Sequence, residues 1–368
     1  MARLGDIATY VNGFAFKPSD WSNEGLPIIR IQDLTGNSYQ ANCYNGSYHP
    51  KYEVNDGDVL ISWSASLGVY VWKGEKAVLN QHIFKVVFDK SEVDKNFFVH
   101  QVQNILENAA SEAHGATMKH LTKPVFDALP FYLPSIEKQK EIASVLDKVT
   151  ELIALRKEQL AKLDELVKAR FVELFENNNY PVIKLGEVCT KITDGTHKTP
   201  TYLESGITFI SAKNIVNGEL DFSDIKYISE QEYAEIQKRC QTEIGDILLS
   251  KSGSLGSPVI VRTTQKLGLF ESLAVIKYDR DRLLPEFLCE QLKTDRIQRQ
   301  FKVGTKGVAI KHLHLGVIAD TGIIVPSIEE QNQFAAFVEQ TDKSKSEIQK
   351  SLEKLETLKK ALMLKYFG

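Results

Sequence analysis

The stretch PSIEKQKEIASVLDKVTELIALRKEQLAKLDELVKARFVELFE, residues 134–176, is the longest unbroken helical pattern in the chain. It begins with a proline and a serine, which are favoured at the first positions of a helix. Its apolar residues are then spaced by threes, fours and a seven, which is typical of a coiled-coil seam. These seam residues are Leu146, Val149, Ile153, Leu160, Leu163 and Val167. A continuous helix of this length would reach roughly 60 Å at about 1.5 Å per residue.

The chain contains this helical pattern twice. The motif Pro-Ser-Ile-Glu-x-Gln at residues 134–139 returns at residues 326–331, and leucines, lysines and a phenylalanine farther along return at the same spacing. A single copy would fit an ordinary amphipathic helix packed on a domain core. Because each copy follows a globular-looking segment, the natural partner of each seam is the other copy. The repeat therefore predicts two long antiparallel coiled-coil helices.

The second copy differs from the first in two ways. Its start adds Glu330 three residues after Ser327, which predicts a capping box. Its seam is kept only from Ile348 through Leu352, Leu355, Leu358 and Leu362, because residues 340–346 offer no apolar anchor. We therefore expect a break in the second helix over those residues.

Composition is that of an ordinary globular protein. The chain has 368 residues, of which 43% are hydrophobic and 25% charged, which is enough for two or three domains. It has no apolar run of the length of a membrane span and no signal-peptide layout at its start, which predicts a cytoplasmic protein. The four cysteines lie far apart, which favours free thiols over a zinc site or disulfides. A net charge of −3 argues weakly against binding nucleic acid by charge unaided.

The segments before the two helices have the same α+β design. In the first we predict strands at residues 27–31, 59–62, 69–72 and 82–88 and a helix at residues 96–113. Short blocks return in the second segment: residues 4–7 as 185–188, residues 57–62 as 245–250, and residues 119–121 as 311–313. The predicted division is therefore residues 1–133, 134–177, 178–325 and 326–368. The fold class is α+β, with two similar globular domains, two helices between them and an internal pseudo-twofold repeat.

Two units that share a scaffold should differ where they bind different ligands. Trp63 in the first corresponds to Lys251 in the second, immediately after a strand and inside a loop rich in serine and glycine. A loop near the start of each unit also differs, with residues 12–21 in one and residues 193–198 in the other. We therefore expect specificity to lie in these loops.

A lysine and a histidine recur shortly before each long helix. Lys119 with His120, and Lys311 with His312, lie in glycine-containing loops. Lysine and backbone amides there suit contacts to phosphate, and a solvated loop without a ligand is the alternative.

Catalytic and metal-binding motifs are missing from the sequence. It contains no methyltransferase cofactor loop with an Asn/Asp-Pro-Pro-aromatic motif, no GxxxxGK[ST], no HExxH and no GxSxG. His312 and His314 could share one face of a strand, but no further ligands accompany them, so no metal site is predicted. Two other classes remain open: an enzyme with an active site between the units, and a non-catalytic tandem scaffold that binds protein.

The ordered and doubled set of blocks resembles the specificity subunit of type I restriction–modification systems, over essentially the whole chain. The resemblance implies two target-recognition domains, each reading one half of a split, asymmetric double-stranded DNA site. It implies methyltransferase subunits, commonly two, that dock on the helices, and a motor-nuclease subunit for restriction. S-adenosylmethionine, ATP and Mg would belong to those partners, so this chain would bind no cofactor and perform no catalysis. Half-sites on one face of the duplex would be about 10 bp apart.

On this basis we assign candidate contacts. The DNA-binding candidates are Ser62, Trp63, Ser64, Asn80, Gln81, His82, Lys119, His120, Thr193, Asp194, Thr196, His197, Lys198, Ser250, Lys251, Ser252, Lys311 and His312. Amide and basic side chains among them suit base edges in the major groove. The partner-binding candidates are Glu137, Gln139, Glu329 and Gln331, which recur at the two helix starts.

Overall fold

The computed structural model describes residues 2–37, 42–112, 122–305 and 312–368. The chain divides into two compact units: unit 1 comprises residues 1–157 and 350–368, and unit 2 comprises residues 158–349. Each unit therefore combines one α+β segment with a part of each long helix. Among the described residues, no helix is both long and apolar enough to cross a membrane.

Unit 1 combines short strands with helices, as its alternating apolar runs predict. Its strands are β1 (Ala2–Arg3), β2 (Thr9–Asn12), β3 (Leu26–Ile29), β4 (Cys43–Tyr44), β5 (Glu53–Val54), β6 (Val59–Ser62), β7 (Gly68–Val71), β8 (Ala77–Leu79), β9 (Ile83–Val87) and β10 (Pro130–Phe131). Its helices are α1 (Leu4–Ile7), α2 (Ile31–Leu34), α3 (Lys95–Glu112), α4 (Lys123–Ala128) and the first part of α5 (Ile136–Phe171). The predicted strand at residues 59–62 is confirmed in full, and the other predicted strands are shifted or shortened at their ends.

The described strands of unit 1 form three sheets. One is a four-stranded antiparallel sheet in the order β2-β9-β6-β7, and another has the order β4-β3-β8-β5. In the latter, β3 and β8 pair in parallel. The third is the two-stranded pair of β1 and β10.

Unit 2 has the same plan with additional elements. Its strands are β11 (Val182–Lys184), β12 (Cys189–Asp194), β13 (Ile207–Ile210), β14 (Ile215–Val216), β15 (Glu219–Leu220), β16 (Lys226–Ile228), β17 (Ile247–Ser250), β18 (Pro258–Ile260), β19 (Leu267–Leu269), β20 (Leu273–Tyr278) and β21 (Gly322–Ile324). Its helices are α6 (Glu230–Arg239), α7 (Pro285–Lys293), α8 (Asp295–Gly304), α9 (Leu315–Ala319) and the first part of α10 (Ile328–Phe367).

The sheets of unit 2 correspond to those of unit 1. The order β12-β20-β17-β18 matches β2-β9-β6-β7, and the parallel pair β13 and β19 matches β3 and β8. The pair β11 and β21 likewise matches β1 and β10. The repeated sequence blocks thus produce one topology twice.

The repeated Gly-Asp block builds the same turn in both units. Asp58 and Asp246 each accept a hydrogen bond, 2.8 Å long, from the backbone N–H three residues earlier. Each also receives the ammonium of a lysine in the neighbouring strand, Lys85 at 2.9 Å and Lys277 at 2.6 Å. The block is therefore structural.

Within each unit, α5 and α10 pack together in antiparallel fashion. In unit 1, Ile142 and Leu146 of α5 join a core that includes Met363 of α10. In unit 2, Phe171 of α5 packs against Phe334 of α10, with 5.5 Å between ring centroids. The early part of one helix thus meets the late part of the other, as the repeat predicts. Ion pairs lie beside the seam, Lys157–Glu356 at 3.1 Å in unit 1 and Asp164–Lys345 at 2.5 Å in unit 2.

The predicted break over residues 340–346 is wrong, because α10 is continuous. Polar contacts replace the missing apolar anchors: Lys343 pairs with Glu339 at 2.8 Å, and Thr341 donates its hydroxyl to a carbonyl one turn back. Side chains four residues apart are neighbours on a helix, so such pairs support it without a seam.

The predicted capping box of α10 is present, whereas the apolar seam of α10 differs from the predicted one. Ser327 and Glu330 exchange hydrogen bonds between side chain and backbone, so the capping box is confirmed. The seam differs from the predicted one, since Leu358 is 46% exposed whereas Met363 is buried.

Candidate nucleic-acid interface

Lys251 lies at the centre of a buried charge network in unit 2. It directly follows β17, and its side chain is only 3% exposed. Its Nζ donates to Asp194 Oδ2 at 2.5 Å and to the Glu271 carbonyl oxygen at 3.0 Å. The Glu271 carboxylate lies 3.6 Å from the same Nζ. Two strand ends and the turn before β20 are thereby tied to one ammonium group.

The network reaches the surface in two directions. On one side, Asp194 accepts a hydrogen bond from Arg239, the last residue of α6, and lies 3.3 Å from His197 Nε2. On the other side, His312 Nε2 lies 3.4 Å from Glu271 Oε2. The structure thus brings together the loop at residues 193–198, Lys251 and His312, which are all among the DNA-binding candidates.

Asp194 is ionised within this network. Burial by itself would raise the pKa of its carboxyl group, because a charged carboxylate loses hydration. The hydrogen bond from Lys251, together with the charges of Lys251 and Arg239, outweighs burial and holds the pKa of Asp194 below its ordinary value. The carboxylate is therefore a fixed negative charge that orients the cations around it.

An open concavity of about 600 Å³ lies beside Arg239. Its walls are formed by residues 195–198 and Pro200 of the loop, and by Gln231, Glu232, Glu235, Ile236, Arg239 and Cys240 on and beside α6. His197, Lys198 and Arg239 are exposed. Basic, amide and carboxylate groups, the last from Glu232 and Glu235, therefore line a concave surface at which the charge network ends.

Unit 1 has a neutral counterpart of this network. Trp63, which follows β6, donates its Nε1–H to Asn12 Oδ1 at 3.2 Å, where unit 2 has Lys251 and Asp194. The Trp63 ring also stacks on Phe84 at 5.7 Å and meets His82 edge-on at 4.9 Å. The backbone frame is shared, since the N–H of Trp63 donates to His82 and that of Lys251 to Ser272. The same link between two strand ends is therefore aromatic in one unit and ionic in the other.

Glycines after β2 and β12 hold these loops against the neighbouring strand. A Cβ on Gly13 would lie 1.9 Å from the Asn80 carbonyl oxygen, and one on Gly195 would lie 2.1 Å from the Leu269 carbonyl oxygen. No side chain fits such a gap, so both loops cross the sheet at the same place. The divergent residues on either side are thereby presented from equivalent positions.

The candidate residues differ in exposure. Ser62, Ser64, Thr193, Asp194, Ser250 and Lys251 are buried, whereas Trp63, Asn80, Gln81, His82, Thr196, Ser252 and His312 are half-buried and His197 and Lys198 are exposed. The hydroxyls of Ser62 and Ser250 donate to carbonyl oxygens four residues on, which gives them a structural role. Lys119, His120 and Lys311 lie outside the described residues.

Sequence reasoning missed Arg239 and Glu271. Helix α6 lies in an insertion, because the corresponding residues 45–57 of unit 1 hold only a single turn of 3-10 helix and a two-residue strand. That length difference between the units is the signal that could have pointed to Arg239. Glu271 gives no such signal, since only its contacts with Lys251 and His312 distinguish it.

The repeated glutamines of the helix starts are internal. Gln139 is 1% exposed and Gln331 is fully buried. Gln139 accepts from the Asp94 N–H at 2.8 Å and donates to the Pro134 carbonyl at 2.9 Å. Gln331 accepts from the Leu284 N–H and donates to the Pro326 carbonyl, both at 2.9 Å.

Their burial separates the glutamines from the glutamates beside them. A side chain that is fully buried within its own unit offers no surface to a partner. Glu137 and Glu329 are exposed, so these two of the four partner-binding candidates remain accessible.

Comparisons with known proteins identify the class to which this fold and these paired sites belong. The family described as the type I restriction modification DNA specificity domain matches twice, over residues 1–165 and 177–360. The chain therefore belongs to the family of type I restriction–modification specificity subunits, which are the non-catalytic, DNA-recognising components of these systems.

Individual relatives match over nearly the whole chain. The type I restriction enzyme EcoBI specificity subunit of Escherichia coli is 26% identical over 99% of this chain and 84% of its own length. The MjaVIII specificity subunit of Methanocaldococcus jannaschii is 20% identical over 99% of this chain and 90% of its own length. The crystal structure of a type I S subunit from M. genitalium has a TM-score of 0.52 at 16% identity, covering 100% of this chain and 95% of that one. That structure shows the shared fold.

Proposed function

We propose that units 1 and 2 each read one half of a bipartite, asymmetric DNA site. The observation that carries the proposal is the pair of equivalent sites with different chemistry, Trp63 with Asn12 in unit 1 and Lys251 with Asp194 in unit 2. A shared frame that presents different side chains suits two different base sequences. Because the units share one topology but not these residues, the two half-sites differ and the whole site is asymmetric.

Direct contacts belong to the accessible residues of each site. In unit 2 these are Thr196, His197 and Lys198, while the buried Lys251 and Asp194 position them. In unit 1 they are Trp63, Asn80, Gln81 and His82, which are half-buried. An asparagine amide pairs well with the N6 and N7 edge of adenine.

The long helices bind the methyltransferase subunits. Glu137 and Glu329 are exposed in the first turns of α5 and α10, so one surface is presented twice. A repeated surface suits two copies of one partner related by a pseudo-twofold axis. The motor-nuclease subunit then joins this assembly. S-adenosylmethionine, ATP and Mg are bound by the partners, which carry out methylation, translocation and cleavage.

Selection from a random-sequence duplex pool tests the proposal. The chain is purified with its methyltransferase subunits, and bound duplexes are sequenced after several rounds. The expected result is two different short motifs separated by a fixed gap of unspecified sequence. The alternative function, a tandem scaffold that binds protein, is supported if the intact complex enriches no sequence.

A further inference from the structure

We propose that Arg239 is a specificity-determining residue that contacts a guanine in the half-site read by unit 2. The inference rests on the proposed function and names a base-contacting residue that the repeated motifs do not reveal. Arg239 ends α6 and lines the concavity, and its side chain is 54% exposed.

The guanidinium group is held from one side and open on the other. One terminal nitrogen, Nη2, donates to Asp194 Oδ1 and lies 3.4 Å from His197 Nε2. Among the described residues, Nη1 and Nε have no protein acceptor. A bidentate contact needs two donors on one edge of the planar group, so the second N–H of Nη2 together with Nη1 or Nε would match the O6 and N7 acceptors of guanine, the most common specific contact in the major groove.

The buried carboxylate favours a base over a phosphate. Asp194 lies beside Arg239 and cancels part of its positive charge, which weakens attraction to an anion. The hydrogen bond to Asp194 also limits the rotamers of the long Arg239 side chain. A fixed rotamer matters more for pairing with the directional acceptors of a base edge than for contact with a phosphate, whose charge is diffuse. Lys251 in turn holds Asp194 from the interior. Asp194 and Lys251 are therefore positioning residues, and Arg239 makes the contact.

Duplex selection with matched variants tests this role. The intact complex is compared with Arg239→Ala, Arg239→Gln and Asp194→Asn, and with Lys238→Ala as a control for an exposed basic residue on the same helix. Asn12→Ala in unit 1 identifies the half-site that unit 1 reads. Binding of the selected duplex is then measured at several salt concentrations for each variant.

We expect Arg239→Ala to lose the preference for guanine at one position of one half-site, by roughly 5- to 150-fold, the range for one bidentate contact. The other half-site stays unchanged. Arg239→Gln should shift that position toward adenine, because a glutamine amide pairs with adenine. Asp194→Asn should weaken the preference at the same position, and Lys238→Ala should select the wild-type sequence.

Several results would overturn the proposal. If Arg239→Ala weakens all sequences equally and lowers the salt dependence, the residue contacts a phosphate. Unchanged selection in both Arg239 variants, or a unit 2 half-site without a G·C pair, also rejects it. Enrichment of no sequence by the wild-type complex would instead reject the proposed function itself. Retention of the other positions of the unit 2 half-site shows that unit 2 of a variant is folded. If Arg239→Ala fails this check, the result with Arg239→Gln decides.

Discussion

Lys251 Nζ lies 2.5 Å from Asp194 Oδ2 where the equivalent positions of unit 1 hold Trp63 and Asn12. Both pairs link the residue after one strand to the end of a strand two places away in the same sheet. Replacing either partner alone would leave the other unmatched, so the two positions change together between the units. The divergence of the units is thus a change of paired residues on a retained frame.

Breaking this pair on one side should destabilise unit 2. Lys251→Met leaves Asp194 buried without its main counter-charge, and we expect a cost of about 3–5 kcal/mol in the free energy of unfolding. The double variant Lys251→Met with Asp194→Asn removes both charges, as unit 1 does with Asn12, and should recover most of that loss. Chemical denaturation of the four proteins in this cycle gives the coupling.

The double variant should nonetheless alter recognition at one half-site and leave the other intact. Equal loss at both half-sites, or a double variant no more stable than Lys251→Met, would contradict a local buried pair.

Acid should weaken unit 2 through Asp194. Its pKa is depressed in the folded protein, so its contribution to stability is fully present above the unfolded value, about 3.9. That contribution is lost as the pH falls from there through the folded pKa. The melting temperature of Asp194→Asn should therefore fall less than that of the wild type between pH 5 and pH 3. Asp281→Asn, at an exposed carboxylate of unit 2, is the control and should follow the wild-type curve.

The repeated blocks allowed much of the fold to be predicted from sequence. Local signals were sufficient for the strand at residues 59–62 and for the capping box of Ser327 and Glu330, because each depends on neighbouring residues. Continuity across residues 340–346 was missed, since it depends on polar pairs that an apolar seam does not reveal. One such pair, between Lys345 and Asp164, joins residues far apart in sequence.

The candidate site was predicted only in outline. Divergence between the copies indicated Lys251 and the loop at residues 193–198, which the structure brings together. It gave no information on burial, so the interior position of Lys251 could not be foreseen. Arg239 was missed because its link to Asp194 depends on how an inserted helix packs. Gln139 recurs as Gln331 because both side chains make internal hydrogen bonds. Repetition in the sequence alone does not distinguish such a structural residue from one on a binding surface.

Loss of the buried glutamine bonds should destabilise each unit separately. Gln139→Leu leaves the Asp94 N–H and the Pro134 carbonyl without their partner, at a cost of about 1–3 kcal/mol for each group that stays buried. Gln331→Leu should do the same in unit 2. Thermal unfolding measures both, with the exposed Gln333→Leu on α10 as the control, expected within about 0.5 kcal/mol of wild type. If the buried variants also stay within that range, the amide bonds are not structural.

Charge reversal at the exposed helix starts should affect assembly instead. Glu137→Lys with Glu329→Lys leaves the core untouched, so the melting temperature of the isolated chain should change little. Native mass spectrometry of the reconstituted complex should show loss of methyltransferase subunits. Glu75→Lys with Glu204→Lys makes the same charge change at exposed sites outside the helices and should keep the full stoichiometry. Full assembly of the helix variant would mean that the repeated glutamates only cap their helices.

Helix length between the units should set the gap between half-sites. The units are joined through α5 at residues 157 and 158 and through α10 at residues 349 and 350. One heptad inserted at both points keeps the seam in register and adds about 10 Å at 1.5 Å per residue. At about 3.4 Å per base-pair step, that is about three base pairs. Methylation mapping should then show both half-sites unchanged and the gap longer by that amount. An active complex that keeps the original gap would show that the helices do not set the spacing.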